Sequence, residues 1–293
     1  MDDIPIIIAG CGYTGRRLAT RCMASGNVVL ALVRSRSSLD SLESGGVPVV
    51  QTDLDETPRP TPDQGVRYVY MVPPPTSGDT DPRIARWLTA ISGTPERIVY
   101  LSTTGVYGDR GGQTVDEDTP PRPVSDRARR RLDAESRLLD FGASRGVRIV
   151  ILRVPGIYGP GRLPLQRLQS GQPVPRDGDT GPGNRIHVDD LVSACLASIN
   201  YDGVHQVFNV GDGNDTSMGE YFRVVARLAG LSAPTQLPLD ILLKEVSPAM
   251  RSFLTESRWV DVSRMRKELR VAPKYEDLEA GIRDSLEEER RAG

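Results

Sequence analysis

Several reactive side chains are scarce in this chain. Its 293 residues include three cysteines, two histidines and three lysines, the first of them Lys244. Cys11, Cys22 and Cys195 are too few and too scattered for a disulfide framework, and no pair has the CxxC spacing of a metal or redox site. No metal is expected, and a reducing cytoplasm is the expected compartment. Arginine supplies every basic side chain before Lys244, so no lysine amine serves chemistry in the first 243 residues. A net charge of −2 and a pI near 5.9 lack the positive excess of a general nucleic-acid or membrane-surface binder. No apolar run is long enough to span a bilayer, and the acidic start Met1-Asp2-Asp3 reads as neither signal peptide nor membrane anchor. The expected partner is a small-molecule substrate, with no nucleic acid and no membrane, bound by a monomer or homodimer.

The most informative segment present is Ile6-Ile7-Ile8-Ala9-Gly10-Cys11-Gly12-Tyr13-Thr14-Gly15, an apolar run leading into a glycine-x-glycine-x-x-glycine turn. Gly10 permits a tight turn, Gly12 lets a pyrophosphate approach the backbone, and Gly15 lets the next helix pack on the strand. Tyr13 and Thr14 fall at the helix N-terminus, where free N–H groups and the helix dipole favour an anion. The order strand, turn, helix, second strand is the context that gives this motif its meaning as a dinucleotide cradle.

Short apolar runs alternate with helical patterns along the chain. The runs are Ile6 to Ala9, Val28 to Val33, Val47 to Val50, Tyr68 to Val72, Ile98 to Leu101, Val147 to Leu152 and Val207 to Val210. Helical patterns cover Arg16 to Ser25, Arg83 to Ile91, Asp126 to Ser144, Val188 to Ile199 and Met218 to Ala229, with Ser125 and Asp189 as expected N-caps and Gly146 and Gly230 as stops. This alternation predicts an α/β fold, a Rossmann-like doubly wound parallel sheet with a smaller C-terminal substrate lobe. Residues 1–155 and about 185–212 form the expected cofactor domain, and 156–184 with 213–293 the expected lobe. Two Pro/Gly-rich stretches, Thr57 to Gly65 and Pro155 to Asn184, read as irregular breaks, and Glu287 to Gly293 as a polar tail.

An acidic residue about 20 positions after the glycine turn would accept from the 2′-hydroxyl of NAD, whereas arginine suits the 2′-phosphate of NADP. Arg34 stands there, followed by Ser35 and Arg36. A guanidinium pairs bidentately with phosphate, so NADP is the expected cofactor and NAD the weaker alternative; solvated loop charges are the competing reading. Asp53 and Leu54 are placed to meet the adenine edge. Val72, Pro73 and Pro74 end the fourth strand where a cofactor crosses the sheet's carboxyl edge.

The segment Val99-Tyr100-Leu101-Ser102-Thr103-Thr104-Gly105-Val106-Tyr107-Gly108-Asp109 resembles the extended short-chain dehydrogenase/reductase family, the NAD-dependent epimerase/dehydratase group. Similar matches are Leu152 to Gly161, Arg185 to Leu191 and Phe208 to Gly211, in the same order along the chain. The resemblance implies an active site at the carboxyl ends of the strands, with Pro155 and Ile157 against the nicotinamide. It also implies a Ser/Thr after the fifth strand and a Tyr-x-x-x-Lys on the next helix. Counting back from Val106-Tyr107-Gly108 puts the hydroxyl residue at Thr103. Aligning Leu132-Asp133-Ala134-Glu135 puts Arg127 at the tyrosine position and Arg131 at the lysine position. Four residues apart, the two arginines share a helix face. Arg131 retains cationic donors, but Arg127 stays protonated and cannot act as acid or base. Thr103, Arg127 and Arg131 are the candidate catalytic residues, and Arg131 also a cofactor contact. The departure resembles the atypical subgroups of the family.

Tyr107, Tyr158 and His187 are further titratable candidates with structural alternatives, and Arg162, Arg167 and Arg185 flank the long loop as possible anion holders. The resulting reading is an NAD(P)-dependent oxidoreductase or epimerase acting on a small polar or sugar-derived substrate. The alternatives are a non-catalytic NADP-binding sensor or regulatory module and a redox-independent isomerase or lyase.

Overall fold

A computed structural model describes residues 4–56, 64–246 and 248–292. Seven strands, β1 (Ile6–Ala9), β2 (Val29–Val33), β3 (Val49–Gln51), β4 (Arg67–Tyr70), β5 (Arg97–Thr103), β6 (Arg148–Val154) and β7 (Val207–Asn209), form one sheet. Their order across it is β7-β6-β5-β4-β1-β2-β3, and every pairing is parallel. The strand order reverses between β1 and β4, and the crevice at that reversal is where such sheets bind ligands.

Apolar strands run nearly unbroken because both faces are covered. Ile6, Ile8, Val69, Val99 and Leu101 point to one face, where α1 (Tyr13–Ala24) adds Leu18 and Cys22. Ile7, Tyr68, Tyr70, Ile98 and Tyr100 point to the other, where α3 (Pro82–Ala90) contributes Ile84 and Trp87 and α4 (Asp126–Arg145) Leu138. Adjacent residues thus enter separate cores, as the two-residue repeat of a strand requires.

Helix ends follow local chemistry. Ser125 caps α4 by accepting from Ala128 N, and Gly146 ends it in the left-handed region at φ +68°. Helix α2 (Arg36–Ser44), absent from the sequence reading, starts at Ser35, whose hydroxyl accepts from Ser38 N at 3.2 Å. In α5 (Val188–Ile199) the expected cap Asp189 lies in the first turn instead. The capping acceptor is His187 Nδ1, which takes the Asp189 N–H at 3.2 Å.

The stretch Pro155 to Asn184 is more ordered than its composition predicts. It contains strands Gly156–Tyr158 and Val174–Pro175 and a short helix Leu165–Gln169. Most of the other break, residues 57–63, lies outside the described residues. A third apolar cluster joins Tyr158, Leu168 and Val174 to Tyr221, Phe222 and Val225 of α6 (Met218–Leu228) and Leu278 and Ile282 of α7 (Leu278–Ala292). The expected polar tail is the last part of α7, where Leu286 is buried and Glu288 pairs with Arg17; Gly293 lies outside the described residues. Val262, Met265 and Leu269 pack into the first sheet core. Among the described residues, no helix is long and apolar enough to cross a membrane.

Candidate functional site

The three glycines after β1 are required for three different reasons. Gly10 has φ +81°, and a Cβ there would lie 2.8 Å from Val72 N, so the chain leaving β4 presses on the turn. A Cβ on Gly15 would sit 3.3 Å from Cys11 Sγ and Ile8 Cγ2, which fixes how closely α1 approaches β1. A Cβ on Gly12 would meet nothing nearer than Gly10 O at 3.9 Å, so this glycine faces open space. Gly12 is also the N-cap of α1, and no side chain caps the first-turn amides. The result is a bare backbone cradle at a helix N-terminus, with geometry that fits a pyrophosphate.

Thr14 is buried in the first turn. Tyr13 donates its hydroxyl to Pro160 O at 2.8 Å, and the Arg162 guanidinium lies 4.5 Å from its ring centroid. Burial pushes the Tyr13 hydroxyl up to about 12. At the end of β2, Arg34 is 64% exposed and lies 3.5 Å from Asp55 Oδ2. Asp55 is held more closely by Arg83, at 2.6 Å and 2.5 Å, and this hydrogen bonding keeps its carboxyl below the usual range. Ser35 spends its oxygen on the α2 cap, and Arg36 pairs with Asp40 at 2.9 Å along the same helix. Asp53 Oδ1 accepts from Asp55 N at 2.9 Å, while Leu54 is buried with its carbonyl accepting from Arg86. β4 stops at Tyr70, so Val72, Pro73 and Pro74 form irregular chain beyond its carboxyl end. Pro73 O accepts from Arg83 Nη1 at 2.9 Å.

Beyond β5 a cavity of about 500 Å³ opens, lined among others by Thr103, Ser125, Arg127, Pro155, Ile157, Arg162, Thr180, Asn184, Glu256 and Arg258. Thr103 Oγ1 accepts from Gly105 N at 3.1 Å. With a lone pair engaged by the backbone, its O–H proton remains free to donate to a ligand oxygen.

The two arginines of α4 have different surroundings. Arg127 lines the cavity, and among the described residues its guanidinium has no hydrogen-bond or ion-pair partner. Although its side chain reaches solvent, desolvation and then the charges of Arg131 and Arg130 lower its pKa. Arg131 instead donates through Nη1 to Tyr100 Oη at 3.1 Å and Leu101 O at 2.9 Å, tying α4 to β5 away from the cavity lining.

The remaining titratable candidates are held in structural roles. Tyr107 is fully buried, donates to Asn209 Oδ1 at 2.7 Å and accepts from Arg153 Nη1 at 2.9 Å. Tyr158 is buried beneath Gly281, and burial drives its hydroxyl far above the usual range. His187 is wholly buried, and burial lowers its pKa. Its Nδ1 accepts from Asp189 N, while its Nε2 faces Ser285 Oγ at 3.2 Å. Because Ser285 donates to Gly281 O, the imidazole must donate to it and is neutral with both nitrogens committed. No lone pair is left for a metal shared with the neighbouring Asp189 and Asp284.

Arg167 bonds Gln172 and Pro173 O, and Arg185 bonds Thr216 O. Of the three loop arginines only Arg162 reaches the cavity. Sequence reasoning missed the Glu256–Arg258 pair, 2.8 Å apart, and the wall from Thr180 to Asn184. The run Gly181-Pro182-Gly183-Asn184 was legible as a turn, but nothing in the sequence marks Glu256 or Arg258.

Residues 83–211 match the NAD dependent epimerase/dehydratase family. The matched segment runs from α3 to the end of β7 and contains Thr103, Arg127, Pro155 and Ile157. The uncharacterized protein y4nG of Sinorhizobium fredii is 28% identical over 207 residues, 64% of this chain and 52% of that relative, so the chain spans about half the relative's length. A functionally unknown conserved protein from Silicibacter pomeroyi has a solved structure with TM-score 0.81, 28% identity and coverage of 97% of this chain and 98% of its own. The UDP-glucuronic acid 4-epimerase of Bacillus cereus, solved in complex with NAD, has TM-score 0.76 and 18% identity over 98% of this chain and 99% of its own. The chain therefore shares its fold with proteins whose sequences have diverged widely.

Proposed function

We propose that this chain is an NADP-dependent oxidoreductase or epimerase acting on a small polar or sugar-derived substrate. The carrying observation is that Thr103, its hydroxyl proton free, lines one cavity with Pro155 and Ile157, the residues assigned to the nicotinamide end. The Bacillus cereus relative in fold binds NAD. Here the residue after β2 is the exposed Arg34 rather than an acid, which favours a 2′-phosphate. Gly10, Gly12, Tyr13, Thr14 and Gly15 hold the pyrophosphate end, Asp53 and Leu54 border the adenine, and Val72 to Pro74 border the crossing.

Bound there, the nicotinamide supplies two-electron hydride exchange. Thr103 polarises the substrate carbonyl by donating its hydroxyl proton, and Arg131 fixes α4 on β5. Residues 1–155 with 185–212 carry the cofactor side, whereas Arg162, Thr180, Glu256 and Arg258 come from the substrate side. Since no tyrosine lines the cavity among the described residues, solvent and the Glu256 carboxylate are the proton routes that the geometry offers. The same lack of tyrosine favours a second reading, an NADP-binding sensor without turnover.

A screen over oxo acids, aldehydes and nucleotide sugars, read both by nicotinamide absorbance and by product stereochemistry in NMR, separates the two readings. The enzyme reading predicts turnover that Thr103→Val lowers about a hundredfold with NADPH binding intact, the scale of losing one positioned transition-state donor. NADPH binding without any turnover supports the sensor, and undiminished turnover in Thr103→Val removes Thr103 from the mechanism.

A further inference from the structure

The charges around the cavity do not cancel. Among the described lining residues, three guanidiniums, Arg127, Arg162 and Arg258, face one carboxylate, Glu256, and that carboxylate is paired with Arg258 at 2.8 Å. Asp126, the acid beside Arg127 in sequence, is bonded to Arg129 at 2.8 Å. Arg162 lies over the Tyr13 ring, an arrangement that orients its guanidinium without neutralising it. Among the described residues, two cations are therefore held at one cavity without counter-charges. Arg127 also follows the N-cap of a 20-residue helix, where the helix dipole adds to the positive potential.

A guanidinium cannot exchange a proton at working pH, so an arginine lining the same cavity as Thr103 has binding as its available chemistry. Its planar donors match the oxygens of a carboxylate or phosphate. We infer that Arg127 and Arg162 form an anion-recognition site, and that the substrate carries a carboxylate or phosphate close to the carbonyl that Thr103 binds. This inference rests on the proposed oxidoreductase or epimerase reading and narrows it to anionic substrates. Arg127 thus stands where the family resemblance places an acid/base tyrosine and takes over orientation of the substrate.

Calorimetric titration of the full chain with inorganic phosphate and, separately, malonate tests this assignment at low ionic strength. Saturating NADPH is included to fill the glycine cradle. The expected result is binding of one anion per chain that weakens about tenfold or more in Arg127→Gln and in Arg162→Gln, with NADPH affinity unchanged and partial rescue in Arg127→Lys. Tighter phosphate identifies a phosphorylated substrate, and tighter malonate a carboxylate. The thermal melt of Arg127→Gln should match the parent, because among the described residues its guanidinium has no partner to lose, whereas Arg162→Gln loses only its contact with the Tyr13 ring. No anion binding, or equal binding by the parent and both variants, overturns the inference while NADPH binding leaves the cofactor reading intact. Arg127-dependent anion binding without NADPH binding upholds the anion site and overturns the cofactor reading instead.

Discussion

Asp212 is 1% exposed, its Oδ1 accepts from Asn214 N at 2.9 Å, and its Oδ2 is buried without a partner. Burial pushes its carboxyl from 3.8 up to about 7. The folded state therefore binds a proton that the unfolded state releases between about pH 4 and 7. Stability should fall as pH rises through that window and flatten above it, by on the order of a few kcal/mol. Denaturant titrations of Asp212→Asn should show this decline removed; an unchanged pH profile would assign the dependence elsewhere. At this scale the glycine turn was legible because each glycine answers a backbone need that sequence spacing encodes. The α5 cap was not, since an imidazole nitrogen took the role that an aspartate ordinarily fills. Nor does sequence reveal that Tyr107 spends its hydroxyl between Arg153 and Asn209.

At the scale of elements, β5, β6 and α4 are joined by buried charge. Glu135 of α4 accepts from Arg153 of β6 at 2.8 Å and 3.2 Å and from Ser102 of β5, with both charged side chains at most 5% exposed. Removing one partner leaves a buried charge unmatched, so Glu135→Gln should cost about 3–5 kcal/mol. Replacing Glu135 and Arg153 together with apolar residues of similar volume should cost much less. Urea unfolding of the single and double variants checks this; a single variant as stable as the parent would contradict it. The parallel sheet was legible from its apolar runs, and α4 from its caps. Helix α2 escaped notice because only Leu39 and Leu42 are buried in a short, serine-rich segment. Pro155 to Asn184 looked irregular because its strands have only two or three residues each.

At the scale of the molecule, the cavity gathers residues from Thr103 to Arg258, and no local pattern predicts that assembly. The half supplied by β5, α4 and the chain after β6 was legible through its family motifs. The half supplied by Thr180 to Asn184 and Glu256 to Arg258 emerges only when the chain folds back over the sheet edge. The central claim concerns the other end of that edge, where the glycine cradle and Arg34 are proposed to hold NADP. Calorimetric titration of NADPH and NADH into the parent and Arg34→Asp tests it most directly. The parent should bind NADPH about tenfold or more tightly than NADH, the scale of a charge-assisted phosphate contact, and Arg34→Asp should reverse that order. Equal affinity for both cofactors in the parent and the variant, or binding of neither, would contradict the account.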